Sequence, residues 1–234
     1  MSPIRVVTGA VLAAAGALLL AGCGNPGGPV GAGATRTAVA PVQLWPGGLP
    51  TISVPPIGYG ERDTRTVPGV KAPDGDVHAL NPAVVVRADV STEPAKGPRT
   101  DGLAAATVDK LIACVPKPST CPIMKPYYSD LTGDGKDELI VGISMPDRQT
   151  SVRVYMPEKG GLTRILQDAE PFIGVSLARG DLITRSLSAG IPGYEYRTAW
   201  SWDDRQRAML PTRDEIIRIK PTGSSSPEVP TETP

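Results

Sequence analysis

The sequence predicts an α+β fold, mainly an antiparallel β meander with one N-terminal amphipathic helix, preceded by a long disordered N-terminal tether. Three observations support this prediction. From residue 138 onward, short runs rich in β-branched and aromatic residues alternate with turns that contain Gly, Pro or Asp. One earlier stretch carries apolar residues at helical spacing. The chain before that stretch is rich in proline and glycine, a composition typical of segments that do not fold.

The first residues have the pattern of an export signal. Arg5 and the α-amino group give a cationic start, and residues 6–20 are uncharged and mostly apolar. At ~1.5 Å per residue, a helix of that length is shorter than the ~30 Å hydrocarbon core of a bilayer. We therefore expect residues 1–22 to be a cleaved signal peptide and not a retained transmembrane helix.

The apolar run ends in Leu-Ala-Gly-Cys at residues 20–23, which resembles the lipobox of bacterial lipoprotein precursors. The resemblance implies that Cys23 receives a diacylglyceryl group and becomes the mature N-terminus. Two acyl chains hold a protein stably on a bilayer, so we expect a lipid-anchored protein on the extracytoplasmic face of the cell membrane, with membrane lipid as a partner. The alternative is an ordinary secreted protein in which Cys23 follows the cleavage site by chance.

Composition sets the expected domain boundaries. Residues 23–75 contain nine prolines and eleven glycines and few large apolar residues, among them Leu44, Trp45 and Ile52, so we expect a disordered tether there. Lys and Arg total 24, as do Asp and Glu, so the chain has no net basic charge to attract nucleic acid, and we expect no such partner. The remaining expected regions are a small β-rich domain at 76–220 and a disordered tail at 221–234.

The elements of the predicted domain follow in chain order. The valine-rich residues 83–90 favour a first strand. Thr100 or Asp101 can cap a helix from about residue 103 to 114. The apolar stripe of this helix consists of Ala104, Val108, Leu111, Ile112 and Val115. The later strands are expected at 138–145, 151–156, 162–166, 172–178, 182–187 and 194–202, with a last run at 207–210.

Two cysteines remain if Cys23 carries lipid, and Cys114 and Cys121 make a matched pair in an exported protein. We expect them to form a structural disulfide that closes a short loop. The alternatives are a redox pair or a metal clip. A metal site would need further Cys or His ligands nearby, and His78 is the only histidine of the chain.

Residues 130–141 carry the one motif with a defined chemistry. Oxygen ligands recur at alternate positions of a short loop, with glycine at the sixth position, and this spacing wraps oxygens around a calcium ion. The candidate ligands are the side chains of Asp130, Thr132, Asp134 and Glu138 and the carbonyl of Lys136. The run resembles the calcium loop of FG-GAP and VCBS repeats, although it occurs once and has a threonine at the third position.

The motif has two alternative interpretations. An EF-hand would need a bidentate glutamate where this chain has Val141, which disfavours that site. The remaining alternative is an Asx-type turn, in which Asp130 and Asp134 accept hydrogen bonds from nearby backbone N–H groups without a metal.

A second candidate binding feature is an aromatic face on the predicted strand 194–202. Alternate residues of a strand share one face, and those residues include Tyr194, Tyr196, Trp200 and Trp202. The rings could stack on glycans, and the alternative is ordinary core packing. We do not expect an enzyme, because His78 lies in a predicted linker and no convergent acid and base are recognisable.

The layout of lipobox, tether and small disulfide-pinned β domain, together with the 130–141 run, resembles the actinobacterial cell-envelope-stress lipoproteins of the CseA family. The resemblance implies negative modulation of envelope-stress signalling by protein contact. The expected partner is then a membrane sensor kinase that controls an extracytoplasmic-function sigma factor. The alternative function is a calcium-assisted binding module for cell-wall glycan or protein.

Overall fold

The computed structural model describes residues 40–49, 64–92 and 101–219. Within these residues the chain is α+β, with mostly antiparallel β sheets and two short helices, which confirms the predicted class at that level. The helices are α1 (Pro82–Val90) and α2 (Ala105–Ala113). The strands are β1 (Val42–Leu44), β2 (Arg65–Val67), β3 (Tyr127–Ser129), β4 (Glu138–Ser144), β5 (Thr150–Glu158), β6 (Gly161–Glu170), β7 (Phe172–Ala178), β8 (Asp181–Leu187), β9 (Tyr194–Asp203) and β10 (Ala208–Arg218).

The strands of the described residues form two five-stranded sheets. The inner sheet has the order β2-β6-β5-β4-β3, and the outer sheet has the order β1-β7-β8-β9-β10. All neighbouring strands pair antiparallel. The six strands predicted between residues 138 and 202 coincide with β4 to β9. The predicted last run, 207–210, extends into the longer strand β10.

The inner sheet is covered on both faces and therefore forms the middle of three layers. Leu139 and Val141 of β4 pack in the cluster that contains the buried valines of α1 and Leu111 of α2. Ile140, between them, packs in a second cluster with Trp200 of the outer sheet. Since successive side chains of a strand point to opposite faces, burial on both faces requires the continuous apolar run of β4.

Residues 83–90, which were expected to form a strand, form most of helix α1 instead. The Asn81 side chain accepts a hydrogen bond from the Ala83 N–H at 2.9 Å and so caps the helix. Pro82 occupies the first turn, where its fixed φ suits a helix start. The valines of this segment pack against the inner sheet, and this packing outweighs the β propensity that predicted the strand.

Helix α2 lies within the range 103–114 that the sequence predicted to be helical. It buries Val108 and Leu111 against the helical side of the inner sheet. Ile112 and Val115 are 52% and 45% exposed, so they do not belong to the buried stripe that the periodicity predicted.

Two segments of the range 23–75, expected to be a disordered tether, are folded: β1 pairs with β7 at one edge of the outer sheet, and β2 pairs with β6 at one edge of the inner sheet. Leu44 and Trp45 are buried, and the Trp45 Nε1–H donates to the carbonyl of Lys125 at 2.7 Å. Gly142 makes room for this indole, because a Cβ there would lie 2.8 Å from Trp45 Cζ2. Burial of the large aromatic ring offsets the entropy cost of ordering a Pro- and Gly-rich segment.

Several predictions on the chain termini lie outside the described residues. These are the signal peptide 1–22, Cys23, the rest of the tether including Ile52, and the tail 221–234. Residues 76–92 belong to the folded part, since Val77 and the valines of α1 are core residues. The folded part also includes β1 and β2, and so it begins before the expected boundary at residue 76.

A buried network of charges joins the helical layer to the inner sheet. The Asp89 carboxylate of α1 accepts hydrogen bonds from Arg164 Nη1, at 2.8 and 3.0 Å, and from Arg153 Nη1. The Tyr155 hydroxyl donates to Asp89 at 2.9 Å, and Arg153 Nη2 donates to the carbonyl oxygen of Asp101 at 3.0 Å. All five residues are fully buried.

The network places two guanidinium groups against two carboxylates away from water. A buried ion costs several kcal/mol unless its partners and hydrogen bonds are in place, so the partners must lie in one fixed arrangement. Burial, with the Asp89 charge adding, raises the pKa of Tyr155 well above its ordinary value, so its hydroxyl remains a donor. The network therefore sets the position of α1 and of Asp101 relative to β5 and β6.

We expect Asp89→Asn to lower the free energy of unfolding by ~3–5 kcal/mol, because it leaves two buried guanidinium groups facing one carboxylate. Urea unfolding of the expected mature chain (residues 23–234, made without lipid, called the mature chain below) measures the change. Asp109→Asn on the exposed side of α2 is the control and should change stability by less than about 0.5 kcal/mol. Similar stability of the two variants would contradict the role given to Asp89.

Asp168 of β6 is a further buried carboxyl group. Burial raises its pKa from 3.8 to about 8, with the Glu170 charge adding and the Ala169 N–H opposing. The folded state therefore holds a proton that the unfolded state releases above about pH 4. This makes the free energy of unfolding fall as the pH rises from about 4 to 8.

We expect Asp168→Asn to reduce this pH dependence, because the amide keeps the neutral form at every pH. Between pH 5 and 7 the slope of the free energy of unfolding should become less negative by about 1.4 kcal/mol per pH unit. Urea titrations at three pH values measure the slope. A slope equal to that of the wild type would mean that Asp168 is ionised in the folded protein.

Candidate functional site

An open cleft of about 480 Å³ lies where the β5–β6 turn of the inner sheet and the β9–β10 turn of the outer sheet reach the same end of the domain. We call it the Trp202 cleft. It is lined by Thr132, Asp134, Met156, Pro157, Glu158, Lys159, Trp202, Asp204 and Arg207.

An ion pair holds the two turns together. Arg207 Nη2 donates to a carboxylate oxygen of Glu158, and the Thr163 hydroxyl donates to the other oxygen at 2.6 Å. The Thr163 hydrogen bond, together with Arg207, lowers the pKa of Glu158 despite its partial burial. Glu158 is therefore a fixed negative charge at neutral pH.

The Trp202 indole forms the aromatic wall of the cleft. The ring is half-buried and packs against the core between the two sheets. Its Nε1–H donates to Asp204 at 2.6 Å, and the Arg207 guanidinium carbon lies 5.9 Å from the ring centroid, within reach of a cation–π interaction. The ring orientation is thus set by the core on one side and by the β9–β10 turn on the other.

The predicted calcium loop borders the same cleft. The Asp130 carboxylate accepts hydrogen bonds from the N–H groups of Gly133 and Gly135, at 2.6 and 3.0 Å. Asp134 accepts one from the Lys136 N–H at 2.9 Å. Two of the proposed ligands are therefore bonded to the loop's own backbone.

Glu138, the last proposed ligand, lies under the loop as a buried carboxyl group. It accepts hydrogen bonds from the N–H groups of Leu131 and Thr132, at 2.7 and 3.2 Å, and from the Thr132 hydroxyl at 3.3 Å. Burial raises the pKa of Glu138 to about 7; the two backbone donors oppose the rise, and Asp134 and Asp130 add to it. A nearby cation would reverse this shift, because it would favour the carboxylate.

The five proposed calcium ligands lie close together in the chain, four in the loop and Glu138 at the start of β4. The hydrogen bonds of Asp130 and Asp134 to nearby backbone N–H groups are those expected for the Asx-type turn, the alternative interpretation of the motif. Among the residues that the structure describes, no three His, Cys, Asp or Glu side chains are grouped to hold a metal ion. Calcium binding at this loop stays a prediction.

The four predicted aromatic residues do not form one surface. Trp200 is 5% exposed, lies in the core between the sheets and donates from Nε1 to the Thr184 hydroxyl at 3.1 Å. Tyr196 lines a different cavity, and Tyr194 lines neither cavity described here. Trp202 is the member of the set that reaches the cleft.

The predicted disulfide is formed between Cys114, at the end of α2, and Cys121, with their Cα atoms 4.6 Å apart. His78, predicted to lie in a linker, has its Nε2 2.8 Å from the Asp137 carboxylate, and its ring stacks on Tyr128 at a centroid distance of 4.0 Å. This contact joins the segment before α1 to the end of the 130–137 loop.

Sequence reasoning missed most of the charged lining of the cleft. Glu158 and Lys159 lie between the strands predicted at 151–156 and 162–166, and Asp204 lies between the strand predicted at 194–202 and the last run. Such positions indicate turns and no binding role. The sequence offered only a weak indication of this lining, namely two charged turns that each follow a strand rich in apolar residues. Nothing in the sequence indicated that the two turns, which belong to different sheets, come together.

No protein-family model, curated protein or solved structure matches this chain. In the part of the chain that the structure describes, neither helix is long and apolar enough to cross a membrane.

We expect calcium at millimolar concentration to raise the melting temperature of the mature chain and Asp134→Ala to abolish the rise. The rise should be larger at pH 8 than at pH 5, because protons compete with the metal for Glu138. Differential scanning fluorimetry measures it, with Asp109→Ala as the control that keeps the full response. A melting temperature that calcium does not change would leave the loop as a metal-free turn.

Proposed function

We propose that the folded domain is a binding module, and not an enzyme, that holds a cell-wall saccharide in the Trp202 cleft. One observation carries the proposal: a half-buried indole lines an open cleft together with the charged side chains of Glu158, Asp204 and Arg207.

This set of groups suits the chemistry of a sugar ring. A sugar ring has an apolar face and a rim of hydroxyl groups. The Trp202 ring offers a rigid apolar surface for that face. Charged acceptors and donors around it can form charge-assisted hydrogen bonds with the hydroxyls. A concave site with an aromatic wall and a few fixed polar groups is the usual form of a small-ligand site.

The hydrogen bonds of Glu158 and Asp204, and the lowered pKa of Glu158, favour binding over catalysis. Glu158 has a lowered pKa and two hydrogen-bond donors, which makes it a poor proton donor at neutral pH. Asp204 accepts from the Trp202 Nε1–H. Both carboxylates therefore support the position of neighbouring side chains, as fixed recognition groups do.

We propose that calcium in the 130–138 loop supports the Trp202 cleft. Thr132 and Asp134 lie at the border of the cleft, so a calcium ion in the loop would hold that border in place. The likeness of residues 130–141 to FG-GAP and VCBS loops agrees with such a role.

We expect Trp202→Ala to weaken saccharide binding about 10-fold or more, because the stacking surface is lost. Chitotetraose and soluble fragments of the host's peptidoglycan are titrated calorimetrically against the mature chain. Tyr194→Ala, which removes a ring outside both cavities, is the control and should bind as the wild type does. Equal affinity of the wild type and Trp202→Ala would contradict the proposal.

A second function is favoured by the lipobox at residues 20–23. We propose that lipidation of Cys23 places the domain on the outer face of the membrane, where it negatively modulates an envelope-stress sensor kinase by protein contact. Tethering to the same surface gives a high local concentration, so modest affinity would suffice. The likeness to cell-envelope-stress lipoproteins of the CseA family supports this proposal.

Deletion of the gene should raise the basal activity of a reporter for the host's envelope-stress sigma factor. The wild type should restore the low signal. Cys23→Ala should not restore it, and that variant should leave the membrane fraction. Complementation with Trp202→Ala separates the two functions: a restored low signal means that saccharide binding is not needed for modulation. An unchanged reporter after deletion would contradict the regulatory proposal.

A further inference from the structure

A second cavity, of about 420 Å³, is lined by the end of β6 in the inner sheet and by strands β8 to β10 of the outer sheet, and it shares no residue with the Trp202 cleft. We call it the Glu170 pocket. The lining residues used below are Glu170, Ser186, Tyr196, Arg197, Asp214 and Ile216.

The wall of the pocket is apolar on one side. Tyr196 of β9 and Ile216 of β10 are cross-strand partners, so their side chains lie next to each other on one face of the sheet. They are 40% and 54% exposed, which is unusual for a neighbouring pair of large apolar residues. Leu187 and Pro171 extend this apolar lining.

The other side of the pocket is acidic. The Glu170 carboxylate accepts one hydrogen bond from the Ser186 hydroxyl at 2.8 Å. Burial raises the pKa of Glu170, the Ser186 hydrogen bond opposes the rise, and the negative charge of Asp214 adds to it. Asp214 lies on the same face of the outer sheet as Tyr196 and Ile216, whereas Arg197 and Glu215, which also line the pocket, are strand neighbours that project to the opposite face. The pocket therefore combines the apolar pair with the carboxyl groups of Glu170 and Asp214.

We propose that the Glu170 pocket binds an organic ammonium ion with an apolar body. The ammonium group would pair with the carboxylates of Glu170 and Asp214, and the apolar body would lie against Tyr196 and Ile216. The volume admits a ligand larger than a metal ion, and the apolar wall disfavours a hydrated inorganic cation. This site does not depend on saccharide binding in the Trp202 cleft.

The test uses the mature chain and two probes of the same shape. 2-Phenylethylammonium carries the charge, and 2-phenylethanol replaces it with a hydroxyl. In NMR titrations at low ionic strength, the ammonium ion should bind about tenfold more tightly than the alcohol, and added salt should reduce the difference. Equal affinities of the two probes would overturn the proposal.

Variants of the lining residues locate the site. Glu170→Gln and Asp214→Asn should each weaken binding of the ammonium ion about tenfold and leave the alcohol unchanged. Asp109→Asn on α2 is the control for loss of a carboxylate elsewhere.

Asp214 lies on the exposed edge strand, so its replacement tests the pocket even where Glu170→Gln perturbs folding. Unchanged ammonium binding in Asp214→Asn and Glu170→Gln, both folded by circular dichroism, would overturn the proposal.

A further titration, with a peptide, distinguishes a polypeptide ligand from a small molecule. The peptide acetyl-Phe-Lys-Phe-amide presents the same chemistry from a polypeptide. Tighter binding of the peptide than of 2-phenylethylammonium would support a lysine side chain as the natural ligand, and tighter binding of the free amine would support a small molecule. Binding of neither probe at millimolar concentration would refute the site.

Discussion

The shared carboxylate of Asp89 determines how the helical layer meets the sheets. Two guanidinium groups, from neighbouring strands β5 and β6, hydrogen-bond to it in a region without solvent. Hydrophobic contact alone would let α1 slide along the inner sheet, because contacts between valines are not directional. The hydrogen bonds of Asp89 have fixed directions and give the interface one register. The hairpin β5–β6 is thereby fixed as well, and its turn forms one wall of the Trp202 cleft.

Much of the sheet structure was predictable because it is local. Alternation along 151–156 placed Val152, Val154 and Met156 on one face, and these residues do lie in the core between the sheets. The same alternation gave no sign that Arg153 is buried, because the layer that covers it includes α1, read from sequence as a strand. The folded parts of the predicted tether were missed for a similar reason. The order of β1 comes from Trp45 packing against Gly142, and the order of β2 comes from its pairing with β6. Both are contacts between distant parts of the chain.

In the candidate site, too, the sequence indicated the local features but not the contacts between distant segments. The 130–138 loop was recognisable because its spacing is a local pattern, and Trp202 was recognisable as one ring of an alternating strand. The cleft itself depends on two turns from different sheets, joined by Glu158 and Arg207. No pattern within either turn encodes that meeting. The burial of Trp200 was equally hidden, because its strand alternates in the same way whether its face meets solvent or a second sheet.

The pairing of the first two strands has a consequence for how the protein is made. Val42 pairs with Leu177, and Val67 pairs with Leu162, so each sheet is closed along one edge by partners far apart in the sequence. Contacts of such high sequence separation slow folding. During synthesis neither edge can close until the chain has grown past residue 162 for the inner sheet and past residue 175 for the outer one. Until then β1 and β2 lack their strand partners, and unpaired strand segments are open to pairing with other chains.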